Sequence, residues 1–199
     1  MANNENYQNR ENLSVDEKSV LDSVTVWFEK SVLGLNLCPF AAKPYRDGSI
    51  RFALTSAQTD EDCLNDLLLC LHQLDQQPEI ETMVLVCSCH LQDFSDYNQF
   101  LDHCDALLEQ EGWSGIYQIA SFHPHYQFAD SQPGDRANWT NRSPYALLHL
   151  LREASISKAV AAVPDSAKIP ARNIATLENL TDARMMEIFG SDQSKKIPG

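Results

Sequence analysis

The chain has 199 residues, 43% hydrophobic and 22% charged, with 28 acidic against 15 basic side chains and a net charge of −13. That length suits one domain whose core removes roughly 70% of the unfolded surface from water, so neither disulfides nor a structural metal are needed for stability. The negative charge and the lack of a basic run argue against nucleic acid as a partner. No apolar run approaches the ~18 residues of a membrane span, and no secretory signal opens the chain, so a cytoplasmic protein is expected.

Residues 1–12 are polar and rich in Asn, Gln and Glu, as in a disordered tail. Ser14 and Glu17 have the spacing of a capping box, and Val20, Val24, Trp27 and Phe28 recur at helical period behind it. Gly34 is placed to end that helix. The segment Leu35-Asn36-Leu37-Cys38-Pro39-Phe40 is too apolar for an exposed loop. Strand-like runs follow at 49–54, 82–87 and 116–122, separated by amphipathic helical patterns at 60–74 and 94–109.

From Ser143 onward the pattern reads as helical. Ser143 and Pro144 suit an N-cap and first helical position, with Leu147, Leu148 and Leu151 as the apolar face. A short helix follows at 155–163, and Pro170 opens a last helical region with a break near Thr181. The expected fold is a single α/β domain over 13–189. It has a small three-strand sheet with crossover helices, an N-terminal helix and a helical C-terminal third, flanked by a flexible tail over 190–199. A ferredoxin-like α+β arrangement is the alternative.

If the strands are parallel, their C-terminal ends share the edge where open α/β sheets bind ligands. Those ends read Thr55-Ser56, Cys87-Ser88-Cys89-His90 and Ser121-Phe122-His123. His123, which Pro124 biases towards an extended backbone, is the candidate acid/base; a structural histidine tying down the loop is the plainer account. Arg142 beside the expected helix start at Ser143 would grip an anion, with Asn141 and Tyr126 as further ligand contacts. Capping alone also explains Ser143. Cys38 is the candidate nucleophile if an imidazole such as His123 reaches it, against the bland reading of a buried inert thiol.

The six cysteines read as reduced thiols. Cys87, Cys89, His90, His103 and Cys104 do not have zinc-site spacing. The triplet Asn138-Trp139-Thr140 has no meaning as a glycosylation acceptor outside a secretory pathway. No phosphate-binding, dinucleotide-binding or hydrolase motif occurs, so no cofactor is indicated.

Four segments taken together resemble a known family. They are Gly34 to Phe40; Asp93-Phe94 with Tyr97-Asn98; Phe122-His123-Pro124 with Tyr126 and Phe128; and Thr140 to Tyr145 with Leu148 to Glu153. The family is the uncharacterised, mainly bacterial one called domain of unknown function 1415, and the resemblance covers about Ser14 to Ile188. Its usual pattern has an acidic residue where His125 stands and a proline where Ala146 stands, which weakens His125 as a ligand. The resemblance implies a single cytosolic domain and no particular activity.

The leading functional expectation is a small cytosolic enzyme acting on a polar, anionic metabolite. His123 would be acid/base, Arg142 and Ser143 the anion grip, Asn141 the orienting group and Cys38 the nucleophile. The first rival is a non-catalytic module that engages a protein through Phe122, Tyr126, Phe128, Trp139 and Tyr145. The second is a divalent-metal enzyme using His123, His125 and Asp130 or Asp135.

Overall fold

A capping box starts the first helix: Ser14 Oγ accepts from Glu17 N–H at 3.3 Å, and the Glu17 carboxylate accepts from Ser14 N–H at 2.8 Å. The computed structural model describes residues 13–163 and 165–193, with backbone alone for 191–193. The expected disordered segment 1–12 lies outside them. Helix α1 (Val15–Trp27) continues without a break as a π-helical turn over Phe28–Leu33. At its end Gly34 N–H donates to Glu29 O at 2.9 Å, and Gly34 itself keeps ordinary right-handed helical angles. Glycine is required there by close approach: a Cβ would collide with the Lys30 carbonyl oxygen.

After a short helix α2 (Ala42–Arg46) the elements alternate. Strand β1 (Ile50–Thr55), helix α3 (Asp60–Gln76), strand β2 (Thr82–Cys87), helix α4 (Phe94–Gln110) and strand β3 (Tyr117–Phe122) fall close to the expected spans. A 3-10 turn over Arg136–Thr140 then leads to strand β4 (Ala146–Arg152), followed by helices α5 (Glu153–Ala162), α6 (Ile169–Glu178) and α7 (Asp182–Gln193). Pro170 sits in the first turn of α6, and the expected break near Thr181 separates α6 from α7. Helix α7 runs to Gln193, so the first residues of the tail expected over 190–199 are helical; 194–199 lie outside the described residues.

The fold is of the α/β class, with one four-stranded mixed sheet in the order β1-β2-β4-β3. Strands β1 and β2 pair in parallel, with Ile50 opposite Thr82 and Thr55 opposite Cys87. Strand β4 lies antiparallel between β2 and β3, pairing Cys87 with Ala146 and Phe122 with Leu147. This corrects the sequence-based expectation at one point: Ser143–Arg152 starts no helix and supplies the fourth strand. Leu147, Leu148 and Leu150 are all fully buried because β4 is covered on both faces and flanked on both sides. Such a strand shows no alternation, so its leucine run satisfies a helical template equally well.

Alternate residues of each strand feed two cores. Ala53, Met83, Leu85, Leu148 and Leu150 face α3 and α4. Leu54, Val84, Val86 and Leu147 face α1, its π-helical extension and the C-terminal helices through Leu177, Ile188 and Phe189. At the far end of β4, the Arg152 guanidinium donates to Leu74 O in the last turn of α3 and to Ile80 O in the loop that leads to β2. Among the described residues no helix is long and apolar enough to cross a membrane.

Candidate functional site

The C-terminal ends of β1, β2 and β3 do share one edge of the sheet, joined there by the start of β4. Two of the three polar exits close on themselves. Thr55 Oγ1 accepts from Ala57 N–H at 2.9 Å and donates to the buried Asp66 carboxylate, which burial pushes above the usual carboxylate range. His90 Nε2 meets Asp60 Oδ1 at 2.6 Å.

The third exit carries His123, which is completely buried. Its Nδ1 accepts from His125 N–H at 3.0 Å, so the ring proton sits on Nε2, which donates to Leu91 O at 3.0 Å. Leu91 itself holds a left-handed backbone (φ 60°), a conformation that costs a side-chain-bearing residue energy and is held here by this bond. The ring packs against Phe94 and Tyr97 with centroids at 5.3 and 5.0 Å. Burial lowers the His123 pKa to about 4, keeping the ring neutral. Both nitrogens are therefore committed to backbone groups of the neighbouring loops.

The segment carrying Asn141, Arg142 and Ser143 is stitched to the end of β3. Asn141 O accepts from His123 N–H at 3.1 Å, and Asn141 Nδ2 donates to Ser121 O at 3.1 Å. Arg142 Nε donates to Tyr126 O at 3.1 Å and its Nη2 to Pro133 O at 2.7 Å, while the guanidinium lies 4.8 Å from the centre of the Trp139 ring. Among the described residues no carboxylate pairs with it, and burial alone lowers its pKa. Ser143 Oγ donates to Tyr145 O at 2.6 Å in the turn before β4. The anion site expected at a helix start beside Ser143 thus has no helix behind it. Tyr126 packs between Phe94, at a tilt, and Phe128, edge-on, with ring centroids at 5.2 and 5.1 Å.

On the other side of Phe122 lies a cavity of about 400 Å³. Val32, Leu37, Phe122, Phe128 and Ile174 give it an apolar wall, and Cys38, Thr140, Asn141 and Asn173 supply its polar groups. Helix α6 sets the position of Cys38: Arg172 Nη2 donates to Asn36 O at 3.0 Å and Asn173 Nδ2 to Leu37 O at 2.6 Å. Asn36 adopts a left-handed backbone (φ 52°), which asparagine tolerates well. Burial raises the Cys38 thiol above its ordinary pKa; the Phe40 and Ala41 backbone N–H groups act in the opposite sense and are outweighed. Cys38 is therefore a neutral thiol at neutral pH.

The structure brings Cys38 and Asn141 to one cavity and leaves His123 and Arg142 outside its lining. Among the described residues no three His, Cys, Asp or Glu side chains are grouped to hold a metal, so His123, His125 and the aspartates of the loop do not converge. Sequence reasoning missed two asparagines. Asn173 carried no signal beyond being polar in an amphipathic helix. Asn138, fully buried, accepts from Phe128 N–H and Ser131 Oγ–H and donates to Gln132 O, organising the whole loop. Its triplet with Trp139 and Thr140 was visible, but as an acceptor pattern of no consequence.

Fold and site together define an α/β domain with a mixed four-stranded sheet and a small cavity beside the end of its edge strand β3. The chain belongs to the family described as Protein of unknown function (DUF1415), whose model matches residues 19–187. No curated protein and no solved structure matches it.

Proposed function

We propose that this protein binds a small organic molecule in the cavity between β3, the Leu37–Cys38 segment and α6, with Cys38 as the thiol presented to it. The observation that carries the reading is the cavity itself. Its volume, about 400 Å³, lies within the range of ligand pockets, and its wall is mostly apolar with a few polar groups gathered in it. Cys38 and Asn141 are the two site residues expected from the sequence that this reading retains. A cytoplasmic location goes with it, supported by six unbonded thiols, two of which, Cys63 and Cys87, lie only 3.5 Å apart. The net charge of −13 speaks against nucleic acid as the ligand.

The test is a fragment screen on the full chain, read by protection of Cys38 from iodoacetamide and by NMR shifts at Val32, Phe122 and Ile174. Compounds that slow alkylation of Cys38 and shift those resonances are expected. Hits that all map to other surfaces, with Cys38 alkylation unchanged, would overturn the proposal.

A second reading, an enzyme acting on an anionic metabolite held by Arg142, has one observation in its favour: that guanidinium has no carboxylate partner among the described residues. Its acid/base group would have to be something other than a ring with both nitrogens committed, unless His123 released Leu91 in the bound state. An Arg142→Gln variant that loses binding of small phosphates or carboxylates, with Cys38 protection unaffected, would favour it.

A further inference from the structure

We propose that the outer edge of β3 takes up an extended, positively charged segment of another protein as a fifth strand of the sheet. Strand β3 ends the sheet order, with β4 on one side only. In an antiparallel pair, facing residues either bond each other or both turn away. Leu150, opposite Ile119, turns its carbonyl towards β2, where it accepts from Thr82 Oγ1 at 2.6 Å. Phe122 belongs to the inward set: its N–H donates to Tyr97 Oη at 3.1 Å, which bridges to the facing Leu147 O. Tyr117, Ile119 and Ser121 therefore present their backbone groups outwards. Tyr117 N–H is taken by Trp113 O, and Ser121 O accepts from Asn141 Nδ2. Ile119 N–H, Ile119 O and Ser121 N–H are left without a partner among the described residues. Such an edge is a template for a further strand, whose main chain supplies affinity and whose side chains supply specificity.

The wall beside the edge states the charge of that strand. A cleft of about 570 Å³ lies between α4 and the first half of β3, and no residue lines both it and the cavity beside Cys38. Asp102, Asp105 and Glu109, three and four positions apart on one exposed face of α4, line the cleft, and no basic side chain does. None of these carboxylates takes part in an ion pair among the described residues. Helix turns repeat every ~5.4 Å and same-face side chains of a strand every ~7 Å. Alternate residues of an added strand thus come level with successive carboxylates, where Lys or Arg is matched and Asp or Glu repelled. The same wall disfavours a second copy of this chain. Pairing β3 to β3 would set two acidic faces side by side in molecules of net charge −13.

Amide exchange and peptide titration on the full chain test this. In the free protein Ile119 and Ser121 N–H should exchange more than about tenfold faster than Ala120 N–H, which bonds inward. End-blocked Lys-Val-Lys-Val-Lys should slow both exchanges and shift Gly115 and Ile119 resonances, while Glu-Val-Glu-Val-Glu should not. Methylating the three lysine nitrogens, which face the edge when the lysines face α4, should weaken binding about tenfold or more. Methylating the two valine nitrogens, which face away, should leave it unchanged. The variant Asp102→Asn/Asp105→Asn/Glu109→Gln, altered only at exposed positions, should bind the lysine peptide about tenfold more weakly. Ile119 N–H exchanging as slowly as Ala120 N–H, equal binding of the acidic peptide, equal effects of the two methylation patterns, or no shift at Gly115 and Ile119 would each overturn the proposal. A dimer in sedimentation whose formation slows Ile119 exchange would overturn it too, assigning the edge to a second copy.

Discussion

His123 and Cys38 flank the end of β3 from opposite faces of the sheet, and their surroundings differ in kind. Around His123 the hydrogen bonds are closed: both ring nitrogens, the carbonyl of a left-handed leucine and the amide of His125 all have partners. Around Cys38 they are open: a neutral thiol, the Asn173 amide oxygen, which has no partner among the described residues, and a hollow of about 400 Å³. Both regions are rich in the residue types associated with chemistry. What separates a clamp from a binding site here is the polar capacity left unused, and side-chain identity alone does not reveal it.

The contrast breaks most visibly in acid. The His123 pKa is about 4 in the folded chain, below the ~6.5 of an unperturbed histidine, so between those values the unfolded chain binds more protons. Stability should therefore fall as pH drops through that window, by about 2.5 kcal/mol from His123 between pH 7 and 4.5. His149, also near 4 through burial but partly open to solvent, adds a smaller share. The raised carboxyl of Asp66 works the other way, gaining stability on acidification. Urea midpoints measured across this range should show a net loss; a flat profile from pH 7 to 4.5 would mean that the closed region is not closed.

His123→Ala should act at least as strongly. It leaves Leu91 O and His125 N–H unpaired and opens a void between Phe94 and Tyr97, which should cost about 3 kcal/mol by chemical denaturation. The acid sensitivity of the variant should drop by His123's share, while fragments that protect Cys38 should bind as before. Loss of that protection in a variant that remains folded would tie the two regions together. The smallest effect belongs to Cys38→Ser, expected to change stability by less than about 1.5 kcal/mol because the site is already loosely filled. Thiol labelling sharpens the same point. Exposed Cys89 should react first, half-buried Cys38 slowly, and Cys63, Cys70, Cys87 and Cys104 only on unfolding.

Much of the scaffold was legible in the chain. The spans of β1, β2, α3 and α4 followed from hydrophobic period, and the capping box at Ser14 from spacing alone. Strand β4 was not legible, since Leu147, Leu148, Leu150 and Leu151 carry no period that distinguishes a doubly covered strand from a helix. The shared edge of Thr55, Cys87 and Phe122 was anticipated from parallel strands, although one antiparallel strand lies among them. The site was only partly visible. The segments around Cys38 and Asn141 stand out by composition, but their meeting depends on α6, whose Asn173 lies more than 130 positions away from the Leu37 carbonyl it holds.

Gly34 has a consequence for how this cavity can change. Its dihedral angles would admit any amino acid, yet the Lys30 carbonyl leaves no volume for even a methyl group. The wall that follows it, Leu37 and Cys38, is thereby docked at one distance from the sheet. Latitude for larger or smaller guests falls instead to the opposite side, where trimming or enlarging Pro170 or Ile174 on an outer helix disturbs no such crowded junction.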